Sequence, residues 1–571
     1  MKTFLPFFKD KKVQTLLAPP LKLCEAVFEL FVPVFVAQII DKGIPSGDGN
    51  FILVRCLILV ALGLTGLGFA VLSQYMSAAS ATGFASAVRR ALYKKIGELS
   101  FSDLDKQGTA NVITRMTGDV DRLQTGVNMT LRLLLRSPFV VFGAVVAAFL
   151  VDAISATVFA VAVPVLMVIV FAILLVGIKM YKQSQSGLDR LTLLTSENVS
   201  GVRVLRAFAR EEDEREKFAE ADKKYASYQI AAGRISALLN PLTYAIINVA
   251  IIALMYVGAI RVNAGNLSKG QVVALYNYLS QILVELIKLA NLIITLSRAG
   301  ASGKRIKELL LVVPSQSFPT EHVEQTESET AVEFKNVSLS YDNAAKAVEN
   351  VSFKVNKGEI LGILGGTASG KSSILSLMPR FYDATEGEVL VDGIDVKRYP
   401  KEQLRDKIAV VMQKPFLLED TIENNICFGE KDEERLAKAI EISQSKDVIA
   451  SKKDGLQEGV RRGGSNFSGG QKQRLSVARA IYKDADVLLL DDAASALDNI
   501  TERKLRDGIK SLNKTVIMTS QRANNLMNAD RILVVDEGKM LDIGTHEQLL
   551  SRCELYREIY ELQNADKGVE Q

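Results

Sequence analysis

The chain has 571 residues and a formal net charge of +4, too long for one compact core, so two or three domains are expected. It is 48% hydrophobic and 23% charged, and the two kinds of residue are segregated: only Asp152 is charged between Arg136 and Lys179, and nothing is between Arg55 and Arg89. A bilayer-spanning helix needs roughly 20 apolar residues, so a purely soluble enzyme is excluded. Basic and acidic residues are otherwise mixed, which argues for no nucleic acid partner. Cys24, Cys56, Cys427 and Cys553 form no CxxC pair, and His322 and His546 are the only histidines. A thiolate metal site, a disulfide framework and multi-histidine metal chemistry are all disfavoured.

The N-terminus, Met1 to Lys12, carries Phe and Leu ahead of an Asp-Lys-Lys cluster and reads as an interfacial amphipathic segment rather than a removable signal. Six hydrophobic passages follow. The first runs from about Val13 to Ile44 and the second from Phe51 through Val88. The third and fourth share the long uncharged stretch and turn at Val151-Asp152-Ala153. The fifth occupies Ile235 to Ile260, and the sixth runs from Gln271 past Leu296. An even number of passages returns both ends to one side. One set of loops holds Lys42, Arg261 and Lys269; the other holds Lys9, Lys11, Lys12, Arg89, Arg90, Lys94, Lys95, Arg115, Arg122, Arg203, Arg206, Arg210, Arg215 and Lys217. Lysine and arginine mark the cytoplasmic side, so both termini are expected there, in a cell (inner) membrane. Phe51 to Leu99 is helix-compatible over about 70 Å, against about 30 Å of bilayer core, so the helices should extend far into the cytoplasm. Glu25, Glu29, Arg132, Arg136, Glu285 and Lys288 are ionisable residues within or near the membrane, where such groups usually face the bundle interior. Glu285 and Lys288 also have i, i+3 spacing, which suits a structural pair.

Residues 313 to 330 are polar, acidic and proline-bearing and read as a linker, dividing a membrane domain (1–312) from a soluble domain (331–571). Alternation from Val332 to Tyr341 predicts a strand. The buried-strand run Glu359 to Leu364 leads into Gly365-Gly366-Thr367-Ala368-Ser369-Gly370-Lys371-Ser372, a GxxxxGK[ST] loop followed by the helical Ser373-Ile-Leu-Ser-Leu-Met. In such a loop the backbone N–H groups and the helix N-terminus cradle phosphates, the lysine reaches the β- and γ-phosphates and the Ser372 hydroxyl ligates Mg²⁺.

Further motifs follow in order. Gln413 comes after Val410-Val-Met, Asn466-Phe-Ser-Gly-Gly-Gln471 is followed by Val487-Leu-Leu-Leu-Asp491, and Ser495-Ala-Leu-Asp498 completes the series. Together these resemble the ATPase motifs of ABC transporters: a Q-loop, the family signature with Phe467 in place of the usual Leu, a Walker B strand and a D-loop. Tyr341 stands where that family stacks an aromatic ring on adenine. The segments Phe101 to Arg122 and Glu197 to Glu211 similarly resemble the intracellular loops of type I (type IV fold) ABC exporters. The resemblance covers the whole chain. It implies a multi-domain fold, a six-helix α transmembrane domain followed by an α/β P-loop NTPase domain, with ATP and Mg²⁺ as ligands.

Its implied site comprises Tyr341, Gly365 to Ser373, Gln413 and, facing the nucleotide of a second chain, Ser468, Gly469, Gly470 and Gln471. Ser372, Gln413 and Asp491 would hold the metal. One copy of each motif implies a half-transporter that needs a second ABC half-transporter chain. Two catalytic positions depart from the family. Asp492 replaces the Glu after Walker B, and Gln521 replaces the switch His after Thr515-Val-Ile-Met-Thr-Ser520. Asp is a methylene short, and glutamine hydrogen-bonds but does not ionise. With an intact signature, this pattern resembles the degenerate-site subunit of bacterial heterodimeric multidrug exporters, which move amphipathic drugs or lipids across the bilayer. The competing readings are a homodimeric active exporter and a regulatory or channel-type protein gated by ATP binding.

Overall fold

The computed structural model describes residues 2–324, 328–341 and 345–565; residues 325–327 of the expected linker lie outside them. Contacts divide the chain into two compact units, residues 1–97 with 109–312, and residues 98–108 with 313–571.

The first unit contains six helical spans: Thr3–Ser46, Gly49–Glu98, Thr109–Val151, Ala153–Ala207, Glu211–Asn263 and Lys269–Leu310. Each is long and apolar enough to cross a membrane, and the shortest has 42 residues, about 63 Å at 1.5 Å per residue. All six therefore overrun a hydrocarbon core of about 30 Å roughly twofold. Polar caps set the sharp reversals. Asp152, in extended conformation, breaks the helix between the third and fourth spans. Its carboxylate accepts from the Ser155 amide (2.9 Å) and from Arg261 (2.7 Å). Ser268 opens the sixth span with a capping box to Gln271, and Asp41 accepts from the Gly270 amide at 2.7 Å.

The fifth span contains a break close to the expected start of the passage at Ile235. Helix Glu211–Ala237 gives way to Leu239–Asn263 at Leu238. The first span loosens into a π-turn at Ile39–Gly43. At the N-terminus, Phe8 stacks on the buried Phe84 ring at 4.5 Å, and Phe4 and Phe7 meet it edge-on, so the aromatic side of that segment packs on the second span. A core of small, branched and aromatic residues joins the third to sixth spans, including Ala144, Phe159, Leu254 and Tyr278.

Arg136 is 5% exposed and ties three spans together. Its guanidinium bonds Glu29 (2.5 Å) and Glu285, and Ser137 and Lys288 also donate to Glu285, each at 2.8 Å. Lys22 pairs with Glu25 beside them.

In the second unit, β1 (Thr330–Ser340), β2 (Lys346–Asn356), β4 (Glu386–Val391) and β5 (Ile394–Asp395) form an antiparallel sheet. A six-stranded sheet is ordered β10-β9-β3-β8-β7-β6, with β3 Ile360–Leu364, β6 Ile408–Val411, β7 Val487–Asp491, β8 Thr515–Ser520, β9 Arg531–Asp536 and β10 Lys539–Gly544. Strands β3, β6, β7, β8 and β9 pair in parallel and only β10 runs against its neighbour. Parallel strands covered on both faces read as continuous apolar runs, as Ile360–Leu364 and Val487–Leu490 do. Their carboxyl ends lie side by side, which is where open α/β sheets gather their ligands.

The short helix Phe101–Gln107 belongs to this unit. Ser100 caps it with a box to Asp103. The Asp103 carboxylate also accepts from the Ser315 amide at 2.9 Å, and the Phe101 ring lies 4.8 Å from that of Phe381. Burial alone would raise the Asp103 carboxyl, but hydrogen bonds from Ser315 and Ser100 outweigh it and leave the group more acidic than an ordinary carboxyl. Among the described residues, the stretch after Val313 has no regular element before β1, yet it is tied down. Val323 exchanges two hydrogen bonds with the Gln403 amide, and Arg380 covers the Phe318 ring at 4.4 Å.

Candidate nucleotide site

The loop from Gly365 to Gly370 joins β3 to helix Lys371–Leu377, at the carboxyl edge of the parallel sheet. Two glycines are required by geometry. A Cβ on Gly365 would stand 2.3 Å from the Val535 carbonyl oxygen; Gly370 has φ +99, and its Cβ would meet the Ala347 carbonyl oxygen at 2.5 Å. Between them, Gly366 and Ser369 meet the Lys371 ammonium. It donates to the Gly365 and Gly366 carbonyls at 2.8 and 2.5 Å and to Ser369 Oγ at 3.3 Å. Lys371 is 8% exposed. Burial pushes its pKa down, against the pull of Asp492 and Asp491. An ammonium held only by neutral acceptors, with two carboxylates nearby, is prepared to exchange those carbonyls for phosphate oxygens.

Strand pairing builds the acidic edge. The β7–β8 register sets Asp491 opposite Thr519. The Thr519 hydroxyl donates to Asp491 Oδ1 at 2.9 Å, as does Ser372 at 3.0 Å. A hydroxyl and a carboxylate in contact are the oxygen donors a hard divalent cation takes, so these residues fit Mg²⁺, and the loop fits the phosphates of ATP. Gln413 lies two residues past the end of β6, exposed. Tyr341 reaches the helix that follows the loop: its hydroxyl donates to Ser373 Oγ at 3.1 Å, and its ring meets that of Tyr382 edge-on at 5.0 Å.

The signature is a fully formed helix start. Ser468 caps helix Gly469–Tyr482 through a reciprocal box with Gln471, leaving the Gly469 and Gly470 amides without a partner among the described residues, at a positive helix end. A Cβ on Gly470 would lie 2.8 Å from the Ala496 carbonyl oxygen. Ala496 belongs to the Ser495–Asp498 turn, and Asp498 itself caps helix Asn499–Lys510.

Two matching family models agree with this layout. "ABC transporter transmembrane region" covers residues 16–286, and "ABC transporter" covers residues 348–495. The chain is 34% identical to an uncharacterized ABC transporter ATP-binding protein of Mycobacterium tuberculosis, over 94% of both chains. It belongs to the ABC transporter family. An uncharacterized ABC transporter ATP-binding protein of Bacillus subtilis is 32% identical over the full length of both, and an ATP-dependent lipid A-core flippase of Vibrio vulnificus is 28% identical over 98% and 96%. Among solved structures, a bacterial Atm1-family ABC exporter with ATP bound shares the fold at TM-score 0.81 and 23% identity, over 97% of this chain and 98% of that one. The protein is thus a multi-pass membrane protein carrying an ABC-type ATPase domain.

Within this ABC transporter, Asp492 follows Asp491 in left-handed conformation at φ +47. It is half-buried and lines a cavity of about 50 Å³ with Glu502, Arg506 and Thr519. Burial, and then the Asp491 charge, raise its carboxyl above the ordinary value, with Lys371 opposing. Gln521 is exposed just past β8, its carbonyl accepting from Gln563 at 2.9 Å. Neither histidine stands in for it: His546 is engaged with Tyr556 at 2.7 Å, and His322 is exposed ahead of β1.

Sequence reading missed Gln473. This residue is 1% exposed. Its amide donates to the Asp492 carbonyl at 2.9 Å and accepts from the Ala496 amide at 3.1 Å, linking the signature helix to the Walker B tail and the following turn. The available signal was a polar side chain on the inward stripe of an amphipathic helix.

Proposed function

We propose that this chain is one half of a heterodimeric, ATP-driven exporter, seated in the cell (inner) membrane with both termini cytoplasmic. Residues 1–312 form the transport domain, 313–330 the linker and 331–571 the nucleotide-binding domain. Its own site, Tyr341, Gly365 to Ser373 and Gln413, binds ATP, with Ser372, Gln413 and Asp491 holding Mg²⁺ and Asp492 and Gln521 giving slow turnover. Its Ser468, Gly469, Gly470 and Gln471 complete the hydrolytic site of the second half-transporter.

The observation that carries this reading is an asymmetry inside one domain. The helix start at Ser468 is capped and its glycine amides have no partner among the described residues, whereas Asp492 offers a carboxylate one methylene short and Gln521 offers no ionisable relay. A misplacement of about 1 Å costs on the order of 100-fold in rate.

When bound, Mg²⁺-ATP supplies the γ-phosphoryl bond whose cleavage resets the transporter. The chain's part is to hold the phosphates with Lys371 and the loop amides, and to present Ser468 and the Gly469 and Gly470 amides to the γ-phosphate bound on the partner. Because those contacts exist only with the two domains closed, they favour the closed state over the open one, and such differential affinity drives alternating access. Exported amphiphiles, drugs or lipids, are the cargo. The likeness to proteins named lipid A-core flippases supports the lipid end of that range.

Expression with candidate second half-transporters and affinity purification tests the assembly. A 1:1 complex with a different chain is expected. A stable homodimer with full transport activity overturns the reading.

A further inference from the structure

Phe467, where the family signature has Leu, has acquired a cationic companion. The ring is 6% exposed and packs in the core with Leu417, Val448 and Val460. Directly over it, 4.3 Å from the centroid, sits the Lys452 ammonium, two residues beyond the short helix Lys446–Ala450. The same ammonium donates to the Asn466 carbonyl at 3.4 Å, and among the described residues it has no carboxylate partner.

The peptide it grips leads straight into the signature. Asn466 is pinned from the other side, its side chain donating to the Gly459 carbonyl at 2.9 Å and accepting from the Arg461 amide at 3.0 Å. The Phe467 amide donates to the Gly464 carbonyl at 2.9 Å. The next residue is the Ser468 cap.

We propose that Lys452 is a positioning residue for the signature: its ammonium, clamped between the Phe467 ring face and the Asn466 carbonyl, fixes the entry to helix Gly469–Tyr482. Ser468 and the two glycine amides are thereby held where a nucleotide on the partner meets them. This rests on the reading that the signature completes the partner's site.

The charge is what the geometry uses. A methionine of similar length fills the space but neither donates to the carbonyl nor is drawn to the ring's negative face, whereas arginine does both. Leucine at 467 would leave the ammonium over a surface with no such face. The lysine and the phenylalanine therefore act as a pair.

The test is steady-state ATPase of the intact two-chain complex, with melting temperature measured on the same samples. K452M is expected to lower kcat about fivefold with KM for ATP changed less than twofold, because the nucleotide is still bound by the opposite P-loop. K452R is expected to return kcat to within twofold of the native complex. F467L should lower kcat to a similar extent, and F467L/K452M should be no slower than either single variant, since the pair makes one interaction. An unchanged kcat in K452M, a K452R variant as slow as K452M, or losses that multiply in the double variant each overturn the proposal. So does a fall in melting temperature with kcat per folded complex unchanged, which would mark a purely structural contact. S468A separates the two levels. If it abolishes turnover while K452M leaves kcat unchanged, only the role of Lys452 fails; if S468A is itself harmless, the signature reading fails with it.

Discussion

Extending the Asp492 side chain tests the central asymmetry most directly. Two features of its surroundings suit a general base. Burial and Asp491 raise its carboxyl toward the working pH, and a base poised nearer that pH takes up a proton more readily. Reach is therefore what the position lacks, and Asp492→Glu supplies it. A shortfall of roughly 1 Å corresponds to about 100-fold, or about 2.7 kcal/mol at 1.36 kcal/mol per tenfold. The cavity of about 50 Å³ beside the carboxyl leaves room for the added methylene. The backbone there is left-handed at φ +47, which Asp adopts more readily than Glu, so the variant should lose about 1 kcal/mol of stability without slowing each folded molecule. The assay is ATP hydrolysis by the two-chain complex after the partner's own catalytic carboxylate has been neutralised, so that only this site turns over. Asp492→Glu is expected to raise that residual rate by up to about 100-fold, and Asp492→Asn to leave the native complex nearly unchanged. If Asp492→Asn stops an otherwise native complex, Asp492 is already a working base and the asymmetry is refuted.

Three further outcomes follow from the same geometry. Lys371→Ala should weaken nucleotide binding at this chain's site at least about tenfold, the value of one charge-assisted hydrogen bond, as read by a fluorescent ATP analogue; unchanged affinity would mean the loop does not hold phosphates. Without nucleotide or metal, Asp492→Asn should melt higher than the native chain near pH 7. A carboxyl raised by burial and by Asp491 above the ordinary 3.8 costs stability once ionised, so the advantage should disappear as the pH falls through its folded value toward 3.8. Arg136→Ala should lower the thermal stability of the detergent-solubilised protein by about 3 kcal/mol or more, because the carboxylates of Glu29 and Glu285 lose a buried partner; a melting temperature equal to the native one would show that the cluster is not buried as described.

The nucleotide site was legible in the sequence wherever one continuous segment does the work. A phosphate is cradled by consecutive backbone amides and the lysine that follows, so Gly365 to Ser372 announces itself without knowledge of any distant residue. The helix start at Ser468 is equally local, since a capping box spans four positions. What could not be read are features set by strand register and by packing between segments far apart in sequence. Thr519 shares Asp491 with Ser372 only because β8 pairs with β7 in one register. Gln473 joins Asp492 to Ala496 across 19 and 23 positions. Lys452 meets Phe467 because a short helix ends beneath the signature. Hydropathy likewise gave six passages but not the exact break at Leu238, three residues ahead of Pro241.

The charged residues within the membrane show the same limit from the opposite direction. Sequence spacing offers Glu285 and Lys288 as a local pair, and that pair exists at 2.8 Å. It is only one edge of a larger arrangement, because Arg136 reaches Glu29 on the first span and Glu285 on the sixth from its own place on the third. Counted together, Lys22, Arg136 and Lys288 balance Glu25, Glu29 and Glu285. Neutrality is what permits such a cluster in an apolar bundle: each charge recovers from its neighbours part of what it loses in leaving water, whereas any one left alone would be costly. The arginine is therefore held by the arrangement and holds it in turn, fixing three spans against each other where apolar packing alone would let them slide.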